Sequence, residues 1–382
     1  MHAAVVREFD EAPKYEEFPD PVPSTPDEEL VEVLAAGLHP RVRSQATGSH
    51  YTSTDELPLI PGIDGVGRRA DGSLVYFLLP DTAFGSMAER TAIDARRSIA
   101  LPPNADPILL GAAMNPGMSS WVALQRRVDF TAGQSVLILG ATGSAGQLAV
   151  QIAKHLGAGQ VIAAGRGADR LAALEALGAD ATIDLAADAD VVAAELSAKA
   201  GNVDVILDYL WGGPAEAAIM PVLAGRDDRS RLLSWIQIGA IAGPDIALPS
   251  AALRQANIHF LGSGQGSVTA RGILEVLPSL VDEIDRGSFS IDAVATPLGD
   301  VEQVWNQSLG RATERIVLMP TTWERRQAVK ARSDVLTTSA VRPGARWFAQ
   351  YRLVCAMTLS GVGAPQSLRS SVVCASPTSV TS

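Results

Sequence analysis

Cysteine is nearly missing from this chain of 382 residues, and the two it has, Cys355 and Cys374, stand near the C-terminal end. The preceding body can therefore form neither a disulfide nor a cysteine-based metal site. Basic residues are outnumbered, 31 Lys and Arg against 42 Asp and Glu, for a net charge of −11. That balance argues against general nucleic-acid binding, which draws its affinity from cations that neutralise phosphates. Long apolar runs are scarce as well. The most apolar long stretch, 135–153, is broken by Thr142, Ser144, Gln147, Gln151 and three glycines, so it reads as strand, turn and helix and not as a membrane span. The first residues, MHAAVVREFDEAPKYEE, carry acids where a secretory leader needs an apolar core. The expectation is a cytoplasmic protein with no membrane or nucleic-acid partner.

What is present suits packed cores. The composition is 47% hydrophobic and 19% charged, and single cores usually stop growing at roughly 250 to 300 residues, so two domains are expected. Residues 1–115 alternate short β-rich runs (LVEVLAAGL, DGSLVYFLLP, GSMAERTAI) with Pro and Gly punctuation, the texture of a small barrel or sandwich. Residues 116–249 instead alternate strand-like runs (SVLILG, QVIAAG, ATIDL, VDVILDYL) with helical ones, as βαβ units and a parallel sheet require. Residues 250–320, ending in RIVLMP, read as a return to the first domain. In 321–382 the charge reverses, with eight Lys or Arg to two Asp or Glu, and no period is sustained. That segment reads as a disordered or extraneous tail outside the fold.

The strongest motif is the passage from SVLIL through GATGSAG (140–146) into the helix QLAVQIAKHLG. Gly140, Thr142, Gly143, Ser144, Ala145 and Gly146 form a turn between a buried strand and a helix N-terminus. Glycines there let the backbone approach a pyrophosphate, which the helix amides then meet. A dinucleotide site follows. At the end of the next strand an NAD site usually carries Asp or Glu for the ribose 2′-hydroxyl, about 20 residues on. This chain has Gly165-Arg166-Gly167, with Arg170 close behind. Arginine suits a 2′-phosphate, so the cofactor is read as NADPH; a solvated loop role for Arg166 is the competing view.

At this point the sequence resembles the quinone oxidoreductase, zeta-crystallin-like branch of the medium-chain dehydrogenase/reductase family. The resemblance spans roughly 1–320 and rests on AAGLHP (35–40), PGIDGVG (61–67), GATGSAG (140–146), LEALGADATID (174–184), VDVILDYLWG (203–212) and GRATERIVL (310–318). It implies an α/β fold: a doubly wound Rossmann sheet plus a GroES-like β-barrel catalytic domain formed from both chain ends, with the active cleft between them. It further implies cofactor contacts at Ile238, Gly239, Leu261, Ser263 and Arg311, the last with a surface ion pair as its alternative, and a homodimer. The zinc-dependent branch carries catalytic ligands at the positions of His39, Ile63 and Asn115. Only His39 is of ligand type, and the four-cysteine structural lobe is absent, so no metal is expected. Zinc-free relatives commonly have Asn at the place of His39 and Tyr near that of Ser44, and this chain departs at both.

Without a metal, a plausible acceptor takes hydride easily: a quinone or a carbonyl-conjugated alkene. The cofactor supplies the hydride, and the protein supplies orientation and hydrogen bonds. The cleft candidates are His39, as a proton donor near neutral pH or as a structural histidine, Tyr51, as a phenol donor or a rim residue, and Asn115. An enoyl-thioester reductase and a non-catalytic NADPH-binding sensor are the alternative readings.

Overall fold

The computed structural model describes residues 1–54, 56–307 and 314–320. Arg311 and the tail 321–382 lie outside them. The chain opens with β1 (His2–Val5), β2 (Lys14–Glu17), β3 (Glu28–Gly37), the short helix α1 (Pro40–Ala46), β4 (Asp64–Arg68), β5 (Leu74–Leu78), β6 (Arg90–Asp94) and β7 (Ser98–Ala100). Helix α2 (Pro107–Val122) then leads to β8 (Ser135–Leu139), α3 (Ser144–His155), β9 (Gln160–Gly165), α4 (Ala168–Ala176), β10 (Ala181–Asp184), α5 (Ala189–Ala200), β11 (Val205–Asp208), α6 (Gly212–Ala224), β12 (Leu233–Gln237), α7 (Ser250–Gln255) and β13 (Ile258–Gly262). Helices α8 (Ala270–Leu274) and α9 (Leu277–Asp285), strand β14 (Ala293–Pro297), α10 (Val301–Gln307) and β15 (Arg315–Met319) follow.

Strands β8 to β13 form one parallel sheet in the order β10-β9-β8-β11-β12-β13. That is the doubly wound order, whose reversal between β8 and β11 opens a crevice at the strand ends. The continuous apolar run Val136–Leu139 is buried on both faces, as a central parallel strand must be. Beside a two-stranded sheet of β1 and β2, a seven-stranded sheet runs β14-β15-β3-β4-β5-β7, with β6 also on β3. Its pairings are antiparallel except for β14 with β15. It is the GroES-like domain, built from both ends of the described chain.

The two domains share an apolar core. Leu34, Ala35, Val66 and Tyr76 from the antiparallel sheet pack in one cluster with Ala113 and Met114 of α2, Leu148 and Ile152 of α3, and Leu280 of α9. Helix α2 begins where Asp106 caps it, the carboxylate accepting the amides of Ile108 (2.8 Å) and Leu109 (3.3 Å), with Pro107 in the first turn.

Residues 115 and 116 both fall inside α2. The parallel sheet runs past 249, because β13 pairs with β12 from Leu233↔Ile258 to Gln237↔Gly262, and α9 packs against α2 in the shared core. The return to the first domain begins only at β14. A short edge strand with one exposed face carries no signal of which sheet it joins.

Candidate active site

The dinucleotide loop is built as its residues dictate. Gly140 leaves β8 at φ +90°, a conformation costly for any other residue, and the amides of Gly140 and Ala141 both donate to Ala164 O at 2.9 Å. A methyl on Gly146 would stand 2.3 Å from Gly140 O and 2.6 Å from Ala141 Cα, so this glycine lets α3 press against the loop. A methyl on Gly143 would meet only Gly140 O, at 3.5 Å. The space over Gly143 is open at the N-terminus of α3, where Ser144, Ala145 and Gly146 form the first turn whose amides point at an incoming anion.

The loop is tied to the end of β9. Thr142 Oγ1 accepts the Arg166 amide at 3.4 Å, and any side chain at Gly165 would collide with Thr142 at 2.6 Å. Arg166 and Arg170 are both exposed. Gly167 turns at φ +94° directly beneath the Arg170 guanidinium, whose Nε lies 3.1 Å from where a methyl on Gly167 would stand. Arg166 and Arg170 thus flank the turn after β9, and their chemistry fits a phosphorylated dinucleotide.

On the other side of the crevice, Ile238 and Gly239 follow β12 and donate their amides to Asp208 O at 2.8 and 3.1 Å. The amide of Ser263, just past Leu261 and the end of β13, donates to Gln237 O at 2.8 Å. Asp208 is buried; its Oδ1 accepts the amides of Leu210 and Trp211, and its Oδ2 accepts Trp235 Nε1, each at 2.9 Å. This carboxylate holds the turn after β11, including Trp211 at φ +52°. Desolvation raises its pKa above the usual carboxylate range.

His39 lies on the opposite wall, only 3% exposed. Its Nε2–H donates to Asp64 Oδ1 at 3.0 Å, and Tyr76 donates its hydroxyl to Asp64 Oδ2 at 2.7 Å. Burial lowers the His39 pKa, the hydrogen bond to Asp64 opposes that, and the charges of Arg315 and Arg41 reinforce it. A neutral imidazole that gives its Nε2 proton to Asp64 has no proton left at Nδ1, and Nδ1 has no partner among the described residues. Of the two sequence readings of His39, the structural one is what this bonded pair with Asp64 favours.

Tyr51 is not gathered to His39. It is 73% exposed, and its hydroxyl donates to Gln265 O at 3.1 Å, in the loop after β13. Of its two sequence readings, rim residue is the one its position favours. Asn115 is half-buried within α2. The zinc-ligand positions do not suit a metal. His39 is engaged by Asp64, Ile63 is a buried alkyl group, and no three His, Cys, Asp or Glu gather for metal binding among the described residues.

Arg315 escaped the sequence reading. It stands on β15, 8% exposed, donating from Nε to Ala112 O and from Nη1 to Ser144 Oγ, both at 3.2 Å. The guanidinium thus reaches from the GroES-like domain to the dinucleotide loop. Burial lowers its pKa to about 10, while Asp64 pulls it upward. A charged residue opening the otherwise apolar strand RIVLM was its sequence signal.

Fold and site together define a dinucleotide-dependent oxidoreductase with a Rossmann and a GroES-like domain. A family described as zinc-binding dehydrogenase matches residues 145–227, a span inside the cofactor domain that holds none of the metal-ligand positions. The chain is 31% identical over 360 residues to the probable NADPH-dependent quinone reductase tdiC of Emericella nidulans, covering 84% of this chain and 100% of that protein. It is 26% identical to the 2-methylene-furan-3-one reductase of Solanum lycopersicum, over 77% of this chain and 72% of that one. The quinone oxidoreductase of Thermus thermophilus, solved also in complex with NADPH, superposes with a TM-score of 0.68 at 24% identity, over 84% of this chain and 100% of that one. The chain belongs to the medium-chain dehydrogenase/reductase family, in its zinc-independent quinone oxidoreductase branch.

Proposed function

We propose that the protein is an NADPH-dependent oxidoreductase that reduces quinones or α,β-unsaturated carbonyl compounds by hydride transfer without zinc. The observation that carries this is the pair Arg166 and Arg170 beside the open glycine loop, where an NAD site would place a carboxylate. The bound cofactor supplies the hydride. The chain's own groups do the rest. The first-turn amides of α3 and the Arg315 charge behind Ser144 hold the pyrophosphate, the two arginines hold the 2′-phosphate, and the turns at Ile238–Gly239 and Leu261–Ser263 flank the nicotinamide. Arg311 and Asn115 remain in this reading as a cofactor and a cleft residue, respectively. His39 and Tyr76 fix Asp64, and so the wall that faces the substrate.

A homodimer is part of the same reading. Strand β13 is one of the two edge strands of the parallel sheet, and Leu253, Met220 and Leu248 are exposed. An edge of that kind invites a second strand. So is a cytoplasmic location, supported by a body without cysteine across residues 1–320. The testing experiment is NADPH oxidation against a panel of quinones and enals, with NADPH and NADH affinities measured calorimetrically in parallel. Turnover of at least one acceptor with clear NADPH preference is expected. Tight NADPH binding without turnover of any acceptor would leave a sensor in its place.

A further inference from the structure

The loop that follows β13, Gly262 to Val268, is anchored in an uneven way. Its two feet are pinned by one side chain: Arg127, at the end of the wide turn that extends α2, donates from Nε to Gly262 O at 2.7 Å and from Nη1 to Ser267 O at 3.2 Å. Its base also holds itself, through the Gly264 amide on Ser267 Oγ at 2.8 Å and the Val268 amide on Gly264 O at 3.2 Å. The apex is Gln265-Gly266, beyond the bonded Ser263 and Gly264. Glycine there confers backbone freedom, with Gly266 at φ +102°. Around Gly262 and Gly266 the space is open, and the closest group to a methyl on Gly264 would be the Tyr51 hydroxyl, at 3.4 Å.

Tyr51 comes from the other domain and is held on a stiff arm. Arg41 pairs with Asp81 and donates to Thr52 Oγ1 at 2.6 Å, and Thr52 donates onward to Asp81. His50 accepts or donates at Thr52 Oγ1, 2.9 Å away, and its ring lies against Tyr51 at 4.2 Å between centroids. The arm is cross-linked within its own domain, whereas Gln265 at the apex is bridged to Val268 of its own loop. Among the described residues, the only hydrogen bond from arm to apex is Tyr51 OH to Gln265 O.

We propose that loop 262–268 is a flap over the mouth of the crevice, hinged at feet fixed by Arg127 and latched shut across the two domains by Tyr51. Ligand exchange requires the latch to open, so Tyr51 is a positioning residue that sets release and not the chemical step. This rests on the proposed cofactor site, because the flap continues directly from Leu261 and Ser263.

The test compares Tyr51→Phe and Arg127→Met with the wild type. Amide hydrogen exchange is read without cofactor, and NADPH release is read by stopped flow. Loss of one hydrogen bond of this type is expected to speed NADPH release and apex exchange in Tyr51→Phe by about three- to tenfold. The hydride step in a single turnover should keep its rate. Arg127→Met should extend the faster exchange to Gly262 and Ser267. Unchanged exchange and release in Tyr51→Phe would overturn the latch. A slower hydride step with unchanged release would overturn it too, making Tyr51 a reacting group. If the wild type binds no NADPH, the cofactor reading fails, but the cofactor-free exchange arm still decides the latch.

Discussion

Gly143 and Gly146 look equivalent in the motif, yet the structure gives them opposite duties, and one methyl group at each separates them. At Gly146 the added carbon would stand 2.3 Å from Gly140 O and 2.6 Å from Ala141 Cα, about 1 Å inside ordinary contact. Both obstacles are backbone, so α3 must move off the loop. Overpacking typically costs about 1 to 3 kcal/mol, and two backbone collisions place Gly146→Ala near ~3 kcal/mol. At roughly 2 to 4 °C per kcal/mol, the cofactor-free melting temperature should fall by about 6 to 12 °C. At Gly143 the carbon touches only Gly140 O, at 3.5 Å, and the backbone is extended at φ −81° and ψ 160°. Gly143→Ala should melt like the wild type. It should nevertheless bind NADPH and NADH about ten- to a hundredfold more weakly, the loss expected when charge-assisted hydrogen bonds of roughly 1.5 to 3 kcal/mol are held apart. Differential scanning fluorimetry without cofactor and calorimetric titration with both cofactors read the two effects. A destabilised Gly143→Ala that binds normally, or a Gly146→Ala with unchanged melting temperature, would refute the assignment of duties.

Arg166→Ala should weaken NADPH by roughly ten- to a hundredfold and leave NADH nearly untouched; equal losses in the calorimeter would remove the 2′-phosphate role. Arg315→Gln keeps a neutral donor within reach of Ala112 and Ser144 but removes the charge, so both cofactors should weaken together, about tenfold at low salt. A loss confined to NADPH would show that the charge acts elsewhere. Because burial lowers the His39 pKa, the unfolded chain takes up a proton below about pH 6.5 that the folded chain resists. Stability should therefore fall as pH drops below that value, and less steeply in His39→Asn, whose amide can still donate to Asp64. Identical slopes of melting temperature between pH 7 and 5 would contradict a buried neutral imidazole.

The cofactor half of the fold was legible because its signals are local. Strand, glycine turn and helix all lie between Ser135 and His155, and burial on both faces of β8 shows as an unbroken apolar run. The zinc-ligand positions were likewise read residue by residue. The catalytic half was less open to reading, because its contacts join distant segments. Asp64 draws its partners His39 and Tyr76 from two other elements. Arg315 meets Ser144 across 171 positions of sequence, and no pattern within either segment announces the other. Tyr51 stays ambiguous in the sequence for a related reason: a phenol in a Ser- and Thr-rich loop reads the same whether it faces a substrate or a neighbouring loop.

The pairing of β15 with β3 brings opposite ends of the described chain together, Val317 against Gly37 and Leu318 against Ala36. During synthesis on the ribosome, every strand of the parallel sheet has emerged by the time β13 is made. The nascent N-terminal domain, by contrast, still lacks β14 and β15, and the end of β3 offers its backbone to no one. Vectorial folding thus completes the cofactor-binding half first. The antiparallel half is closed only when β15, at the end of the described residues, leaves the exit tunnel, and the same strand delivers Arg315 to a loop already in place.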